Sequence, residues 1–264
     1  MVPSLQRVTI APHQLTGQEI HLEPDQEHYL RRVLRLQRGD RFIAMDGQGH
    51  WWLTELIVNS PGSDGLTAKI LETIAIETEL PIPLTLVIAL PKGNGFDEVV
   101  RQVTELGVTR IQPVISDRTL LQPGPQKLER WRRIAQEAAE QAERQTIPSL
   151  LDPIPFRDSL TPIAGQERRF FCATREKAPH LLDCLRDTAG MGEVTIAIGP
   201  EGGWTEMEIQ QAIAAAYQPV SLGQRILRAV TAPLMAAALV AAALESKDGI
   251  ATTLPSSEAR SHAP

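Results

Sequence analysis

The chain of 264 residues is long enough for two domains, and its composition, 42% hydrophobic and 22% charged, is typical of a globular protein. A formal net charge of −6 excludes a protein that binds nucleic acid through its overall charge. No apolar run approaches the roughly 20 residues that span a bilayer, and the N-terminus has no signal-peptide pattern. The two cysteines, Cys172 and Cys184, and the scattered histidines predict neither a disulfide framework nor a metal site. We therefore expect a reduced cytoplasmic protein without a membrane or metal partner.

The first part of the chain, residues 1–76, predicts a small β-barrel domain. Two β-favouring stretches, Arg41–Met45 and residues 51–58, alternate with turns rich in Gly and Asp, which tolerate positive φ angles. Short strands at this spacing are typical of a barrel. Residues 77–83 contain two prolines and predict a linker to a second domain.

Positive charge is concentrated at residues 28–41, whose sequence is HYLRRVLRLQRGDR. Arginines in this segment far outnumber its single aspartate. Such a segment can form a basic surface for an acidic partner such as RNA. It can equally be a solvated helix face with Val33, Leu34 and Leu36 turned inward, and the spacing alone favours neither interpretation.

The rest of the chain predicts an α/β domain over residues 84–245. Residues 84–90, LTLVIAL, are a continuous apolar run, typical of a strand buried on both faces of a parallel sheet. Further strands are predicted at residues 111–115, 169–173, 194–198 and 219–222, and helices at residues 96–106, 127–144 and 232–244. This alternation indicates a mostly parallel sheet with helices on both faces. We expect the polar residues 246–264 to be disordered.

The sequence IAIGPEGGWTEMEI, residues 196–209, places three glycines directly after a predicted strand. Glycines allow a backbone to approach a ligand closely, and the carboxyl ends of parallel strands are where α/β sheets bind ligands. Thr205 and Glu208 have the capping-box spacing that starts the next helix. The segment is neither a phosphate loop nor the G-x-G-x-x-G dinucleotide motif. We predict a binding loop; the alternative is a connection whose glycines serve geometry alone.

A second candidate loop lies in SLGQRILRAVTAPL, residues 221–234, which again joins a strand to a helix. Arg225 and Arg228 stand in an otherwise apolar stretch, where paired guanidinium groups can hold a phosphate, a carboxylate or a developing anion. The alternative is a surface pair anchored by Ile226 and Leu227.

Four strings, in chain order, resemble the bacterial 16S rRNA uracil-N3 methyltransferase family of the SPOUT class of knotted methyltransferases. They are PKGNGFDEVVRQVTELGV, RRIAQEAAEQAERQTIP, GPEGGW and LGQRILR-x-x-TAP. Arg7 and the HYLRRVLRLQRGD segment also resemble the RNA-binding PUA-like domain of that family. The resemblance therefore extends from about Arg7 to Leu244.

This resemblance implies a PUA-like β-barrel domain followed by a SPOUT-type α/β sheet with a deep trefoil knot. It implies S-adenosylmethionine as cofactor, 16S rRNA in the small ribosomal subunit as partner, and a homodimer whose interface includes the Ala-rich last helix. Carried over by motif, the cofactor-binding residues are Ala173, Thr174, Gly199, Pro200, Glu201, Gly202, Gly203, Leu222, Gly223, Arg225, Ile226, Leu227 and Arg228. The residues that would contact RNA are Arg7, His28, Arg31, Arg32 and Arg35.

The implied reaction defines three candidate catalytic residues. Uracil N3 is a weakly acidic imide nitrogen, so it must lose its proton to a base or be stabilised as an anion by cationic groups. Arg228 and Arg225 suit the stabilising role. Glu201, the carboxylate within the candidate cofactor loops, is the candidate base, with helix capping or loop bracing as the alternative.

One position departs from the family pattern. Members commonly carry Glu two positions after the last Arg of ILR, where this chain has Val230. A carboxylate at that place cannot be essential here unless another group replaces it. Three other interpretations therefore stay open: a related SPOUT enzyme that methylates another base or a ribose 2′-hydroxyl, a non-catalytic RNA-binding assembly factor, and a nucleotide-binding α/β oxidoreductase.

Overall fold

The structure, a computed structural model, describes residues 5–57, 65–160, 167–173, 177–186 and 192–246. Thr174 and nearly all of the predicted disordered tail lie outside these residues. Within the described ranges, no helix is long and apolar enough to cross a membrane. The same ranges contain no cluster of three or more potential metal-ligating side chains.

The N-terminal domain is built on a six-stranded sheet with strand order β1-β4-β5-β6-β3-β2. Its elements are β1 (Arg7–Thr9), β2 (Leu15–Thr16), β3 (Glu19–His21), α1 (Pro24–His28), β4 (Arg41–Met45), β5 (Trp51–Ile57) and β6 (Thr67–Ile74). β1 pairs parallel with β4, and the other neighbours are antiparallel. Residues from both ends of the sheet, Val8 on β1 and Ile20 on β3, pack in one core with Phe42 and Leu56. The sheet therefore curls around its core, as the predicted barrel requires.

The C-terminal domain is built on a seven-stranded sheet in which every pairing is parallel. Its strands are β7 (Leu84–Ala89), β8 (Arg110–Ile115), β9 (Ser149–Leu150), β10 (Ile154–Pro155), β11 (Glu167–Cys172), β12 (Glu193–Ile198) and β13 (Gln218–Val220). Its helices are α2 (Gly95–Glu105), α3 (Pro125–Gln141), α4 (Leu181–Cys184), α5 (Glu206–Ala214) and α6 (Thr231–Glu245). The main strand order is β10-β8-β7-β12-β11-β13, with β9 also paired to β8.

Helices cover both faces of this sheet, which confirms the predicted α/β layering. Alternate residues of β7, Leu84, Leu86 and Ile88, pack with side chains of α2, α3, α4 and α6. Val87 and Ala89 face the opposite side, where the neighbouring side chains come from α5 and its flanks and from a 3-10 helix, Phe156–Ser159. The continuous apolar run at 84–90 therefore serves two cores, which explains why it lacks polar alternation.

Helix α3 is shorter than predicted. The sequence indicated a helix to residue 144, but α3 ends at Gln141 and Glu143 adopts a left-handed backbone with φ of 58°. Trp131 and Ile134 are buried as their spacing predicts, whereas Arg144, beyond the helix, is buried by contacts that no periodicity indicates.

Candidate active site

The loops predicted to bind a ligand meet at one edge of the C-terminal sheet. β7, β12, β11 and β13 are parallel neighbours, so the segments that follow them leave the sheet at the same edge. β8 continues the sheet beyond β7, while β11 and β13 lie on the other side, beyond β12. The strand order thus changes direction between β7 and β12, the place where open α/β sheets bind ligands.

The loop after β12, Gly199 to Gly203, requires its glycines. A Cβ at Gly199 would lie 3.1 Å from the indole of Trp204, a buried side chain that stacks on Phe156 with ring centroids 4.2 Å apart. Gly203 has a φ of +69°, which disfavours other residues, and its N–H donates to the Pro200 carbonyl at 2.8 Å. A Cβ at Gly203 would meet no atom within 4 Å. Its backbone therefore borders open space.

Two side chains outside the predicted site hold this loop from the β8 side. Arg118 donates through Nη1 to the Gly202 carbonyl at 2.6 Å and to the Trp204 carbonyl at 3.2 Å. Glu208 completes the predicted capping box, with Oε2 accepting from the Thr205 N–H at 2.7 Å. Its Oε1 accepts from the Asp117 N–H at 2.9 Å. Sequence reasoning missed Arg118, since it lies 84 residues before Gly202 and no local pattern links them.

Glu201 braces this loop from the β7 side. Its Oε1 accepts a hydrogen bond from the Lys92 N–H at 3.1 Å, in the loop that follows β7. Its side chain is otherwise exposed. This geometry supports the loop-bracing alternative for Glu201 and leaves its role as a base a hypothesis.

The loop after β13 presents its arginines to solvent. Ser221 forms a tight turn, because its Oγ accepts from the Gly223 N–H at 3.1 Å and Gly223 has a φ of +119°. Arg225 and Arg228 are exposed and, among the described residues, form no ion pair. Ile226 is 72% exposed, so it does not anchor the arginines to the core as the alternative interpretation required.

Val230 occupies a packed position at the start of α6. It is half-buried against the main core, and a Cβ at Gly95 would lie 2.6 Å from its Cγ1. Gly95, the first residue of α2, therefore leaves room for this valine. Val230 therefore makes an aliphatic contact at the position where the family pattern has Glu.

The third predicted loop begins at Ala173, directly after the buried end of β11. The Ala173 N–H donates to the Val220 carbonyl at 3.0 Å, which ties this loop to β13. Burial raises the pKa of the preceding Cys172 thiol to about 12, so Cys172 stays a neutral packing residue. Thr174 lies outside the described residues.

The basic segment of the N-terminal domain lines a solvent-open cavity of about 580 Å³. The lining residues are Pro24, Glu27, His28, Arg31, Arg32, Arg35, Leu36 and Gln37. The chain here forms a π-helical turn, Tyr29–Val33, closed by a hydrogen bond from the Leu34 N–H to the Tyr29 carbonyl at 3.0 Å. Arg35 follows in a left-handed conformation with φ of 60°. Such irregular backbone is uncommon and often marks functional sites.

Four of the five predicted RNA-contacting residues line this cavity. Arg31 is paired with Glu27 at 3.2 Å, whereas Arg32 and Arg35 form no ion pair with any described residue. The alternative interpretation, a solvated helix face, turned Val33 inward, but the π-helical turn directs this side chain outward and leaves it 58% exposed. Leu30 takes the buried position instead.

Arg7 lies elsewhere and requires a correction. Its side chain is 10% exposed, its Nη2 pairs with Glu143 at 2.7 Å, and its guanidinium lies 5.2 Å from the Trp51 ring centroid. Glu143 belongs to the C-terminal domain, so Arg7 contributes to the interface between the domains instead of the basic cavity.

Comparison with known proteins identifies the family. A family model described as an RNA methyltransferase domain matches residues 78–241, and another described as an RNA methyltransferase PUA domain matches residues 22–71. Over 241 residues the chain is 49% identical to ribosomal RNA small subunit methyltransferase E of Synechocystis, covering 91% of this chain and 78% of that protein. The Bacillus subtilis protein of the same name is 29% identical, covering 88% and 90% of the two chains.

A solved structure supports the same assignment. The crystal structure of ribosomal RNA small subunit methyltransferase E from Neisseria gonorrhoeae bound to S-adenosyl methionine is 34% identical in sequence and superimposes with a TM-score of 0.79. The match covers 89% of this chain and 95% of that chain. The chain therefore belongs to the ribosomal RNA small subunit methyltransferase E family.

Proposed function

We propose that this protein transfers a methyl group from S-adenosylmethionine to N3 of a uridine in 16S rRNA of the small ribosomal subunit. The observation that carries the proposal is the sheet edge at which a glycine loop borders open space and another loop presents two exposed arginines that form no ion pair with a described residue. Membership of the methyltransferase E family supplies the cofactor and the class of substrate.

The residues at this edge fit the cofactor. The backbone at Gly203 borders free space, and a Cβ at Gly223 would meet only Arg225 Nη2, 4.0 Å away, so a nucleoside and an amino-acid group can lie against main-chain donors and acceptors here. The predicted binding residues are those of the loops at residues 199–203 and 222–228, together with Ala173 and with Thr174, which lies outside the described residues. When bound, S-adenosylmethionine supplies the electrophilic methyl group.

The chain's own task is to orient the uracil and to stabilise it as its N3 proton leaves. Exposed guanidinium groups at Arg228 and Arg225 can donate to the uracil oxygens, where the negative charge of the imide anion accumulates. Glu201 remains the candidate proton acceptor, with one of its carboxylate oxygens already used in bracing Lys92.

RNA would be held by the basic cavity of the N-terminal domain. N3 lies on the base-pairing edge, so the target uridine must be unpaired or flipped out. His28, Arg31, Arg32 and Arg35 would contact the phosphates that position such a strand. The cavity supplies the local positive surface that the net charge of −6 makes necessary.

The enzyme would act as a homodimer through α6. This helix is rich in alanine, and its outward side carries Leu234, Met235, Ala238 and Ala242, which are half-buried or exposed. Small residues allow close helix contact, so a second copy of the chain can cover this apolar side. Sedimentation equilibrium checks this part: we expect a dimer, and a monomer at all concentrations would contradict it.

The proposed function is tested by incubating the protein and labelled S-adenosylmethionine with small ribosomal subunits that lack their native methylations. We expect label in 16S rRNA and none in large subunits treated in the same way. Binding to the small subunit without transfer would favour the non-catalytic assembly factor, and Val230 would then be the first position to examine.

Charge reversal tests the RNA contact. We expect Arg32→Glu combined with Arg35→Glu to weaken binding to the small subunit by at least about tenfold, because each lost phosphate contact removes favourable electrostatic energy. The affinity for S-adenosylmethionine should not change. Arg157→Glu, an exposed arginine of the other domain with a side chain 74% accessible, is the control and should bind normally. If the wild type, the double variant and R157E bind the small subunit with equal affinity, the proposal that the basic cavity binds RNA is wrong.

A further inference from the structure

The string RRIAQEAAEQAERQTIP resembles the family but contributes nothing to the cofactor edge. Its last part, residues 140–147, lies at the end of α3 and contacts the N-terminal domain. The contacts are specific hydrogen bonds and ion pairs, and they assign this string a role.

Two glutamates at the end of α3 bind the first strand of the N-terminal domain. Glu140 accepts through Oε1 from the Thr9 N–H at 3.0 Å and from the Thr9 hydroxyl at 2.5 Å. Glu143 pairs with Arg7 at 2.7 Å. Both carboxylates therefore bind β1, which lies more than 130 residues earlier in the chain.

Arg144 binds the linker next to these contacts between α3 and β1. Its side chain is 3% exposed and donates to the Thr104 and Val108 carbonyls at 2.9 Å each. It also forms an ion pair with Glu79 of the linker. Burial alone would raise the pKa of Glu79, but the hydrogen bonds and charge of Arg144 outweigh burial and hold that pKa below its ordinary value.

The chain after Arg144 then docks onto the turn between β4 and β5. The Gly49 N–H donates to the Gln145 carbonyl at 3.1 Å, and the Ile147 N–H donates to the Gly47 carbonyl at 3.0 Å. A Cβ at Gly47 would lie 2.5 Å from Cδ1 of Ile147, so this approach requires glycine. The segment after Arg144 and the turn between β4 and β5 are therefore closely packed and joined by main-chain hydrogen bonds.

The N-terminal half of α3 is tied to the cofactor edge. Asp97 in the first turn of α2 accepts from Arg130 Nε at 2.9 Å and from Trp131 Nε1 at 2.8 Å. The loop just before α2 contains Lys92, whose N–H is bonded to Glu201. The contacts at Trp131 and Glu140 are nine residues apart, so at about 1.5 Å per residue α3 spans about 14 Å between the two sets of contacts.

We propose that Glu79, Glu140, Glu143 and Arg144, here called the interdomain latch, are positioning residues for methyl transfer. They fix the N-terminal domain to the end of α3, and α3 fixes that end relative to the cofactor loops. RNA held in the basic cavity thereby presents its uridine at a set distance and angle. This inference rests on the proposed function, because it assumes that the N-terminal domain binds the substrate RNA.

The test is Glu140→Lys in the full chain, with Glu137→Lys as a matched control. Glu137 lies one turn earlier on α3, its side chain is 61% exposed, and its partner is Arg133 on the same helix. We expect E140K to lower the single-turnover rate of transfer by about 10- to 100-fold, because misplacement by about 1 Å costs that much. Affinities for S-adenosylmethionine and the small subunit should stay within about threefold of wild type, less than 1 kcal/mol. E137K should react at the wild-type rate.

Two further variants and one structural readout separate positioning from folding. Glu140→Gln keeps an acceptor for Thr9 and should restore the rate, whereas Glu143→Lys, at a side chain 51% exposed, should slow it. A glutamate-specific protease should cleave the linker after Glu77 faster in E140K than in E137K. Wild-type rates in both E140K and E143K would overturn the proposal, as would a slow E140K that has also lost cofactor binding.

Failure of the proposed function would be seen separately. If the wild-type chain methylates another nucleotide, the proposed function is wrong, but the ratio of variant to wild-type rates still tests the latch. If the wild-type chain transfers nothing, the proposed function and the role of the latch in methyl transfer both fail, and faster linker cleavage in E140K than in E137K would then show only that these residues hold the two domains together.

Discussion

The loops that follow β12 and β13 lie at the same edge of the sheet but are held by different means. The loop after β12 is fixed on two sides, by Arg118 bonded to the Gly202 carbonyl and by Glu201 bonded to the Lys92 N–H. In the loop after β13, a turn at Ser221 and packing at Val230 hold the two ends, while the arginines between them are exposed.

This difference separates two tasks within one site. A cofactor that binds in every catalytic cycle benefits from a cradle that is already formed, because no ordering free energy is spent on binding. A base that arrives on a large RNA needs donors that are free to meet it. We therefore assign the loop after β12 to holding the cofactor and the side chains of the loop after β13 to the reacting base.

The largest effect is expected from Arg228→Ala. Loss of a donor to the developing imide anion should lower kcat by about 100- to 1,000-fold. The affinity for S-adenosylmethionine should stay within about threefold, a difference below 1 kcal/mol, since we expect this loop to contact the cofactor through its backbone. Arg133→Ala, at a side chain 70% exposed on α3, is the control. Single-turnover transfer measures the rate, and calorimetric titration measures the affinity for S-adenosylmethionine. Equal rates in R228A and R133A would show that Arg228 takes no part in the reaction.

Gly203→Val should distort the loop after β12 and weaken cofactor binding. Its φ of +69° is unfavourable for a β-branched residue, and the added side chain would occupy the space where the cofactor is expected. If this strain of about 1–3 kcal/mol is borne by the cofactor-binding conformation, the cofactor affinity should be about 5- to 150-fold weaker. Gly124→Val is the matched control, since Gly124 has an extended backbone with φ of −85° and a Cβ there would meet no atom within 4 Å. Normal cofactor binding by G203V would contradict a preformed cradle.

Arg118→Met should have a smaller effect on the same loop. Methionine keeps the packing against Gly202 but loses two hydrogen bonds to loop carbonyls, each worth about 1 kcal/mol. We expect cofactor affinity to fall by about three- to tenfold with kcat little changed. Arg157→Met, on the 3-10 helix, is the control for loss of an exposed arginine. If R118M instead lowers kcat alone, Arg118 acts on the substrate and not through the loop.

Glu201→Gln should have the smallest effect. The amide oxygen can still accept from the Lys92 N–H, so a bracing residue tolerates the change. We expect transfer within about threefold of wild type, which is below 1 kcal/mol. A loss of about 100-fold or more would instead identify Glu201 as the general base.

Local sequence features predicted the parts of the site that local physics determines. The apolar run at 84–90 and the strand before Gly199 were identified correctly because a strand buried on both faces must be continuously apolar. The start of α5 was identified because Thr205 and Glu208 satisfy each other's backbone donors within a single turn.

The remaining parts depend on contacts between distant segments. Arg7, Arg118 and Arg144 look like ordinary surface arginines in sequence, yet each is bound by groups that lie at least 36 residues away. The alternative that turned Val33 inward assumed an α-helix, whereas the π-helical turn Tyr29–Val33 changes the direction of its side chains. Spacing within a segment carries no information on such contacts.

We propose that this sheet edge methylates uridine at N3. Nucleoside analysis of the labelled 16S rRNA tests this proposal directly. Small subunits lacking their native methylations would be treated with the protein and labelled S-adenosylmethionine, and their RNA digested to nucleosides. We expect label in 3-methyluridine, with the yield strongly reduced for R228A. Label in another base or in a ribose-methylated nucleoside would contradict it.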